Sequence, residues 1–304
     1  MFWKKGEKYI LGNFWGEYEL QNNSVNLQDH LEHTLMQFIR PLKKFGQNYL
    51  TDPNILRKIV EEIDPTVEDN IIEIGPGLGA LTEILLKKVP SITAVEIDNR
   101  VGEILRQRFK GIELITEDFL KTDLNAIYSR NNKKLRITGN IPYNLTSPIL
   151  FRMIENNHII KDSVLMMQIE VAQRIISKKG TKEYGILSVL LNYFCEIKLC
   201  FKVSPNVFNP RPKVWSAVMH FYLKENDMTD QEKKTFIQTV KAAFGNRRKT
   251  LKNSLSNSIF KEINFEDSGI DLSLRAEQLD IHDFVVLSSY VYSQLNEKNK
   301  RNSL

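Results

Sequence analysis

Four consecutive residues, Asn140-Ile141-Pro142-Tyr143, have the types and spacing needed to hold a planar aromatic amine. The amino nitrogen of adenine is a poor nucleophile because its lone pair is delocalised into the ring. The side-chain oxygen of Asn140 and the carbonyl before Pro142 can each accept one amino hydrogen, which frees that lone pair. Pro142 has no N–H to donate and stiffens the turn, and Tyr143 offers a face on which a base can stack. An ordinary Asn-X-Pro turn before a core aromatic also fits, so the rest of the chain must decide.

The four residues come at the end of a predicted β-strand. The apolar run Leu135–Thr138 predicts the strand, and Gly139 is predicted to break it. Ligands in open α/β sheets bind outside the carboxyl ends of the strands. Three earlier strands, each followed by polar residues or glycines, are predicted at Ile71–Ile74, Ile92–Val95 and Ile112–Ile115.

A glycine turn, Gly75-Pro76-Gly77-Leu78-Gly79, joins the first of these strands to a predicted helix over Leu81–Val89. Glycines let the backbone approach a ligand closely at a helix N-terminus. The pattern fits dinucleotide binding, with Ala80 as the last small residue of the motif. It fits equally the E-x-G-x-G-x-G turn of S-adenosylmethionine enzymes.

Two carboxylates follow the next strands. Glu96 lies about 20 residues after the glycine turn and can bond both hydroxyls of a ribose, while Asp98 can cap the following helix. Asp118 could accept a hydrogen bond from the adenine amino group of a cofactor, with Phe119 nearby, or be part of a solvated loop. Of these interpretations, only a methyltransferase gives a role to the residues at the carboxyl ends of all four strands.

The second half of the chain is predicted to continue with alternating strands and helices and then to contain helices alone. The last two strands have no helix between them, which favours an antiparallel hairpin at the sheet edge and a total of seven strands. The composition becomes helical from Thr229, so we expect a domain boundary near Lys224–Met228. The predicted helices are Pro53–Ile63, Ser147–Glu155, Glu170–Lys179 and Gly185–Phe194, and the predicted strands Val164–Ile169, Glu196–Val203 and Ser216–Leu223.

A basic segment interrupts the apolar stripe of the C-terminal helices. Residues 241–252 contain five basic and no acidic side chains, and Arg247, Arg248 and Lys249 are consecutive at a predicted helix start. Positive charge is unfavourable at that end of a helix, which favours a phosphate-binding role over a solvated face.

Composition limits the classes of protein. The chain has 304 residues, 42% of them hydrophobic, and a net charge of +5, which permits an anionic partner. No apolar run approaches the ~20 residues that a membrane span needs, so we expect a soluble protein. Cys195 and Cys200 suit buried free thiols, and His30 and His33 lack a third metal ligand, so we predict no metal site.

Taken together, the motifs resemble those of the ribosomal RNA adenine dimethyltransferase A (KsgA) family from about Lys43 to about Tyr290. The departures are Ile141, where leucine is common, and residues 1–40. The stretches that carry the resemblance are Phe45–Leu50, Glu73–Leu78, Asn140–Asn144, Phe208–Val214 and Phe244–Thr250.

The resemblance implies a class I, Rossmann-like methyltransferase sheet of seven strands plus a small helical domain. It implies transfer of two methyl groups from S-adenosylmethionine to N6 of each of two adjacent adenosines, in a hairpin loop near the 3′ end of small-subunit ribosomal RNA. The expected enzyme is a cytoplasmic monomer acting on the pre-ribosomal small subunit. The expected domains are an extension of unknown role (1–40), the methyltransferase domain (41–224) and an RNA-binding helical domain (225–304).

The resemblance also implies roles for individual residues. Asn140, Pro142 and Tyr143 would be catalytic, and Phe208 would line the target-base pocket together with Tyr143. Arg247, Arg248 and Lys249 would contact RNA. The expected cofactor contacts are Asn48, Leu50, Gly75, Gly77, Glu96, Asp118 and Asn140.

Three alternatives remain open at this stage. One is a large-subunit ribosomal RNA methyltransferase of the antibiotic-resistance type, which shares the Asn-Ile-Pro-Tyr motif. Another is a non-catalytic ribosome assembly factor that keeps the cofactor fold. The third, a nicotinamide oxidoreductase, would leave the motif and the basic segment unexplained.

Overall fold

The computed structural model describes residues 41–42 and 46–302, with side chains up to Lys298. The predicted extension 1–40, with His30 and His33, lies outside the described residues, as do Lys43, Lys44 and Phe45. Across the described part of the chain, no helix is both long and apolar enough to cross a membrane.

The strands follow one another along the chain as predicted, with two short strands added and several predicted strands extended. Two short strands, one near the start and one after the seventh, pair with each other outside the main sheet. In chain order the strands are β1 (Tyr49–Leu50), β2 (Asn70–Ile74), β3 (Ile92–Val95), β4 (Ile112–Ile115), β5 (Leu135–Asn140), β6 (Ile160–Gln168), β7 (Cys195–Val203), β8 (Phe208–Asn209) and β9 (Ser216–Leu223).

The described residues form a seven-stranded sheet in the order β4-β3-β2-β5-β6-β9-β7. The first five of these strands are mutually parallel, while β9 runs antiparallel to both β6 and β7. This confirms the predicted α/β fold and the antiparallel hairpin, with β7 at the edge and β9 inside it. The carboxyl ends of β4, β3, β2 and β5 therefore lie side by side at one edge.

The helices cover the sheet and continue beyond it. Asp52 caps the first helix by accepting from the amides of Asn54 and Ile55, as predicted. In chain order the helices are α1 (Pro53–Ile63), α2 (Ala80–Leu85), α3 (Asn99–Arg108), α4 (Leu124–Ser129), α5 (Thr146–Glu155), α6 (Ile169–Ile175), α7 (Ile186–Phe194), α8 (Asp230–Ala243), α9 (Leu251–Ser256) and α10 (Ile281–Asn302).

The prediction that Gly139 breaks a strand was wrong. Gly139 is inside β5 and pairs with Leu165, and the strand runs on to Asn140. A Cβ atom on Gly139 would lie 2.4 Å from the carbonyl oxygen of Ile74. Glycine is needed here because β2 passes very close to β5, and Asn140 is thereby held by the sheet itself.

Two predicted helices end early. Beyond Leu85, the amide of Lys88 bonds the carbonyl three residues back, so the chain tightens into turns before the predicted end at Val89. After Ile175, the amide of Gly180 bonds the carbonyl of Glu277, which draws the chain away from the helix axis before Lys179. Strand β6 is longer than predicted because it pairs with β5 from Ile160 and with β9 from Asp162 onward.

The apolar core continues from the sheet into the C-terminal helices. Phe194 of α7 and Phe236 of α8 are both fully buried, with ring centroids 6.0 Å apart. Tyr193 packs against the same Phe236 ring at 4.8 Å. A functional division near residue 225 stays a prediction, since packing does not separate the two sides there.

A buried ionic network fastens the amino ends of the central strands. Arg136 of β5 donates to both carboxylate oxygens of Asp162 in β6, at 2.8 and 2.6 Å, and to Asp69 at 2.7 Å. It also bonds the carbonyl of Ile63 at the end of α1, and His220 of β9 bonds Asp162 at 2.9 Å. Burial alone would raise the pKa of Asp162. The hydrogen bonds that Asp162 accepts from Arg136 and shares with His220 outweigh burial, so the pKa of Asp162 lies below the ordinary aspartate value.

Asp162→Asn should lower the free energy of unfolding by about 3–5 kcal/mol, because it leaves Arg136 buried with an incomplete set of partners. The loss should appear above about pH 4 and fade below it, where the parent carboxylate loses its charge. Denaturant unfolding measures both effects. Glu113→Gln, which removes one exposed ion pair with Arg130, is the matched control and should cost under ~1 kcal/mol. Equal losses in the two variants would contradict this account of the network.

Candidate active site

The glycine turn opens toward one end of the sheet. Gly75, Gly77 and Gly79 have φ angles of 60°, 56° and 85°. A Cβ atom on Gly77 would lie 2.8 Å from the Tyr49 ring, so glycine is required there for packing. A Cβ on Gly75 would meet no atom within 4 Å. Gly75 therefore faces open space, where a ligand can approach the backbone.

Glu96 lies directly beside this turn. It is 4% exposed, and its two carboxylate oxygens accept from the amides of Gly77 at 3.3 Å and Asp98 at 2.9 Å. Burial raises its pKa above the ordinary value. Asp98 caps α3 through the amide of Arg100, as predicted, and the side chain of Arg100 holds the pKa of Asp98 low. Unlike Asp98, Glu96 has no cationic partner among the described residues.

Asn140 is held in one orientation by the loop before β1. Its side-chain Nδ2 donates to the main-chain carbonyl of Asn48 at 2.7 Å. With the amide nitrogen engaged, Oδ1 is the atom left to accept a hydrogen bond. Asn48 in turn donates from its side chain to the carbonyl of Gly46. The next peptide is fixed by the bond from the amide of Ile141 to the carbonyl of Met166 in β6.

The aromatic side of the site is formed by Tyr143 and its surroundings. Tyr143 begins a short 3-10 helix, is half-buried, and its hydroxyl lies 2.9 Å from Ser216 Oγ. Burial raises the pKa of this phenol, so it stays neutral. Phe208 pairs with Leu50 in the small β1–β8 sheet, and both are buried.

The structure brings most predicted site residues to the carboxyl edge of the sheet. Direct contacts link Asn48 to Asn140 and Leu50 to Phe208. Asp118 follows β4, the outermost parallel strand, and its carboxylate accepts from the amide of Leu120. That bond stabilises the loop and leaves the predicted adenine contact of Asp118 a prediction.

Arg247, Arg248 and Lys249 lie in the turn before α9. Arg247 is partly structural, because its guanidinium donates to the carbonyls of Lys182 and Tyr184. The side chains of Arg248 and Lys249 are exposed and bond no described residue. The sequence did not distinguish these three cations.

Sequence reasoning included Glu73 in the glycine-turn motif but assigned no role to its carboxyl group, which is buried behind the turn. Glu73 is 2% exposed and accepts from the hydroxyl of Thr82 at 2.6 Å. Burial raises its pKa to about 7, and the negative charge of Glu96 adds to the shift. An acidic residue inside the apolar strand run Ile71–Ile74 was the signal that could have found it.

The hydroxyl of Tyr49 was also missed. It is buried beside Glu96 and Asp98 and has no hydrogen-bond partner among the described residues. Within the same residues, no three histidine, cysteine, aspartate or glutamate side chains converge as metal ligands would. Cys195 is a buried free thiol as predicted, whereas Cys200 is only half-buried.

Comparison with known proteins decides the family. The ribosomal RNA adenine dimethylase family matches residues 40–292. The chain belongs to this family. It is 46% identical to ribosomal RNA small subunit methyltransferase A of Chlorobium phaeobacteroides (strain BS1), over 81% of this chain and 91% of that protein.

Two solved structures share the fold of this family member. A dimethyladenosine transferase from Plasmodium falciparum superposes with a TM-score of 0.66 at 25% identity, covering 82% of this chain and 98% of the other. The 23S ribosomal RNA methyltransferase ErmE gives a TM-score of 0.58 at 24% identity, covering 80% and 99%. The predicted methyltransferase fold is therefore confirmed.

Glu73→Gln tests the buried carboxyl group of the family's glycine turn. Because folding raises the pKa of Glu73 from 4.5 to about 7, the parent loses stability as pH rises between those values. Glutamine has no proton to lose, so its stability advantage over the parent should grow by about 3 kcal/mol from pH 5 to pH 8. Denaturant unfolding without added ligand measures this difference, and Glu61→Gln on the exposed surface of α1 is the control substitution. A pH-independent difference would show that Glu73 does not titrate in this range.

Proposed function

We propose that this protein uses S-adenosylmethionine to dimethylate N6 of two adjacent adenosines in a hairpin loop near the 3′ end of small-subunit ribosomal RNA. The observation that carries the proposal is the bond from Asn140 Nδ2 to the Asn48 carbonyl, which leaves Oδ1 as the acceptor at the carboxyl end of β5. Family membership and the name of the curated relative support the same reaction.

The residues present suit the cofactor. Gly75 leaves open space over a backbone in the left-handed region, and Glu96 lies on the adjacent strand end. We assign the ribose hydroxyls to Glu96, the adenine to Asp118, and further contacts to Asn48, Leu50 and Gly77. When bound, the cofactor supplies an electrophilic methyl group on a sulfonium centre.

Asn140 and its neighbours prepare the amine of the target. Asn140 Oδ1 and the carbonyl of Ile141 accept the two amino hydrogens, so the nitrogen lone pair points away from the ring system. Both acceptors are preorganised by the bonds to Asn48 and Met166, so little reorganisation is needed as positive charge develops on nitrogen. Tyr143 and Phe208 hold the base by stacking and apolar contact.

The alternatives fit less well. A nicotinamide oxidoreductase is inconsistent with the family. The match to ErmE concerns the fold alone, while the 46% identical relative is named for the small subunit. A non-catalytic assembly factor would have no need to keep Asn140 hydrogen-bonded to Asn48.

We further propose that residues 41–224 carry the transfer and 225–304 contact RNA, mainly through Arg248 and Lys249. The expected substrate is the pre-ribosomal small subunit in the cytoplasm, and the enzyme is expected to act on it as a monomer. The decisive experiment is incubation with labelled S-adenosylmethionine and undermethylated small subunits, followed by mapping of the modified nucleotides. Label at two adjacent adenosines supports the proposal, and label elsewhere or none contradicts it.

Asn140→Ala should lower kcat by roughly 100-fold or more, because it removes an acceptor that acts most strongly in the transition state. Single-turnover methylation of undermethylated subunits measures the effect. Asn125→Ala, on the exposed face of α4, is the control and should retain parent activity. Near-normal turnover of the Asn140 variant would rule out this mechanism.

Glu96→Ala should weaken binding of S-adenosylmethionine by about 100-fold or more, since each hydrogen bond to a charged acceptor is worth about 1.5–3 kcal/mol. Calorimetry with S-adenosylmethionine and with NAD measures the affinities. Glu103→Ala, on the exposed surface of α3, is the control. Tight NAD binding by the parent, without S-adenosylmethionine binding, would overturn the cofactor assignment.

Neutralising Arg248 and Lys249 together should weaken binding to the small subunit by ~10-fold or more at moderate salt. The logarithmic salt dependence should become shallower by about two units if each cation meets one phosphate. Arg57→Ala with Lys58→Ala on α1 removes the same charge from another exposed surface and is the control. If both double variants bind alike, the effect is only one of net charge.

A further inference from the structure

The segment between β8 and β9 presents an unusual surface to solvent. Arg211, Lys213 and Trp215 are exposed, whereas Pro212 and Ser216 are buried. The indole of Trp215 is 51% exposed, a high value for the largest apolar side chain. We call Arg211, Lys213 and Trp215 the proline-loop surface.

This surface is fixed with respect to the candidate active site. At one end, Asn209 pairs with Tyr49 in the β1–β8 sheet. At the other end, the carbonyl of Trp215 accepts from the amide of Ile169 at 3.0 Å. The next residue, Ser216, lies 2.9 Å from the hydroxyl of Tyr143. Trp215 therefore directly precedes Ser216, whose hydroxyl contacts Tyr143, the aromatic residue proposed to hold the target base.

The charges of the surface are unpaired within the described residues. The side chains of Arg211 and Lys213 form no hydrogen bond or ion pair with any residue that the structure describes. Two available cations beside an exposed aromatic ring match single-stranded nucleic acid, which offers phosphates and base faces in alternation. An apolar protein partner would gain nothing from the two cations.

We propose that Trp215 stacks on the base of a nucleotide flanking the target adenosine, while Arg211 and Lys213 contact the adjoining phosphates. The inference rests on the proposed function, because it takes the substrate to be a single-stranded RNA loop. A target base held at Tyr143 requires its neighbours to leave the ordinary stack. Trp215 supplies one of them with a replacement face.

Steady-state methylation of undermethylated small subunits tests the stack. Trp215→Ala should raise KM by ~5–50-fold, in line with loss of one base–aromatic contact, while kcat stays within about twofold. Trp215→Phe keeps an aromatic face and should restore most of the affinity. Trp215→Leu keeps apolar bulk without that face and should not. If leucine restores KM as well as phenylalanine, or if alanine leaves KM unchanged, the stack is overturned.

Fluorescence titration with a four-nucleotide oligoadenylate tests the contact without any turnover. The oligonucleotide should quench the tryptophan emission of the parent protein. An oligonucleotide with one abasic position should quench it less, and this difference between the two oligonucleotides should vanish in Trp215→Phe. Quenching that is identical in Trp215→Phe places the RNA elsewhere and contradicts the proposal. If the parent methylates no small subunit, the proposed function fails, while this titration still decides whether Trp215 binds a base.

Discussion

The hydrogen bond from the Asn140 side chain to the Asn48 carbonyl is the contact on which the site depends. It uses the amide nitrogen and so leaves Oδ1 as the atom of Asn140 that can accept a further hydrogen bond. The bond needs β5 to reach Asn140, and β5 can do so only because Gly139 lets β2 pass closely. The close approach of two strands in the middle of the sheet thus determines how the side-chain amide of Asn140 is oriented at its edge.

Negative charge is concentrated behind the glycine turn. Glu73, Glu96 and Asp98 are all buried there, yet among the described residues only Asp98 has a cationic side chain, Arg100, against it. Burial raises the pKa of both glutamates, which means that each would be more stable beside a positive charge. A sulfonium cofactor would bring that charge, whereas a dinucleotide would add two phosphates of the wrong sign.

The sequence predicted the parallel strands and the edge hairpin because buried strands and glycine turns are local patterns. It also predicted the strand-end positions of Gly75, Glu96 and Asn140, since these follow from the fold. It did not predict the role of Gly139, because a close approach of two strands is not a local property. Arg247 likewise looked like its neighbours, and only the tertiary contacts to Lys182 and Tyr184 separate it from Arg248 and Lys249.

The small β1–β8 sheet has a consequence for how the enzyme is made. Thr51 at the end of β1 bonds Val207, 156 residues later in the chain, and Leu50 pairs with Phe208. During synthesis at about 5–20 residues per second, the glycine turn and the Asn140 motif emerge many seconds before the strand that completes the site. A nascent chain therefore contains the glycine turn and the Asn140 motif before β8 can pair with β1, so the small β1–β8 sheet forms only after most of the chain has been made.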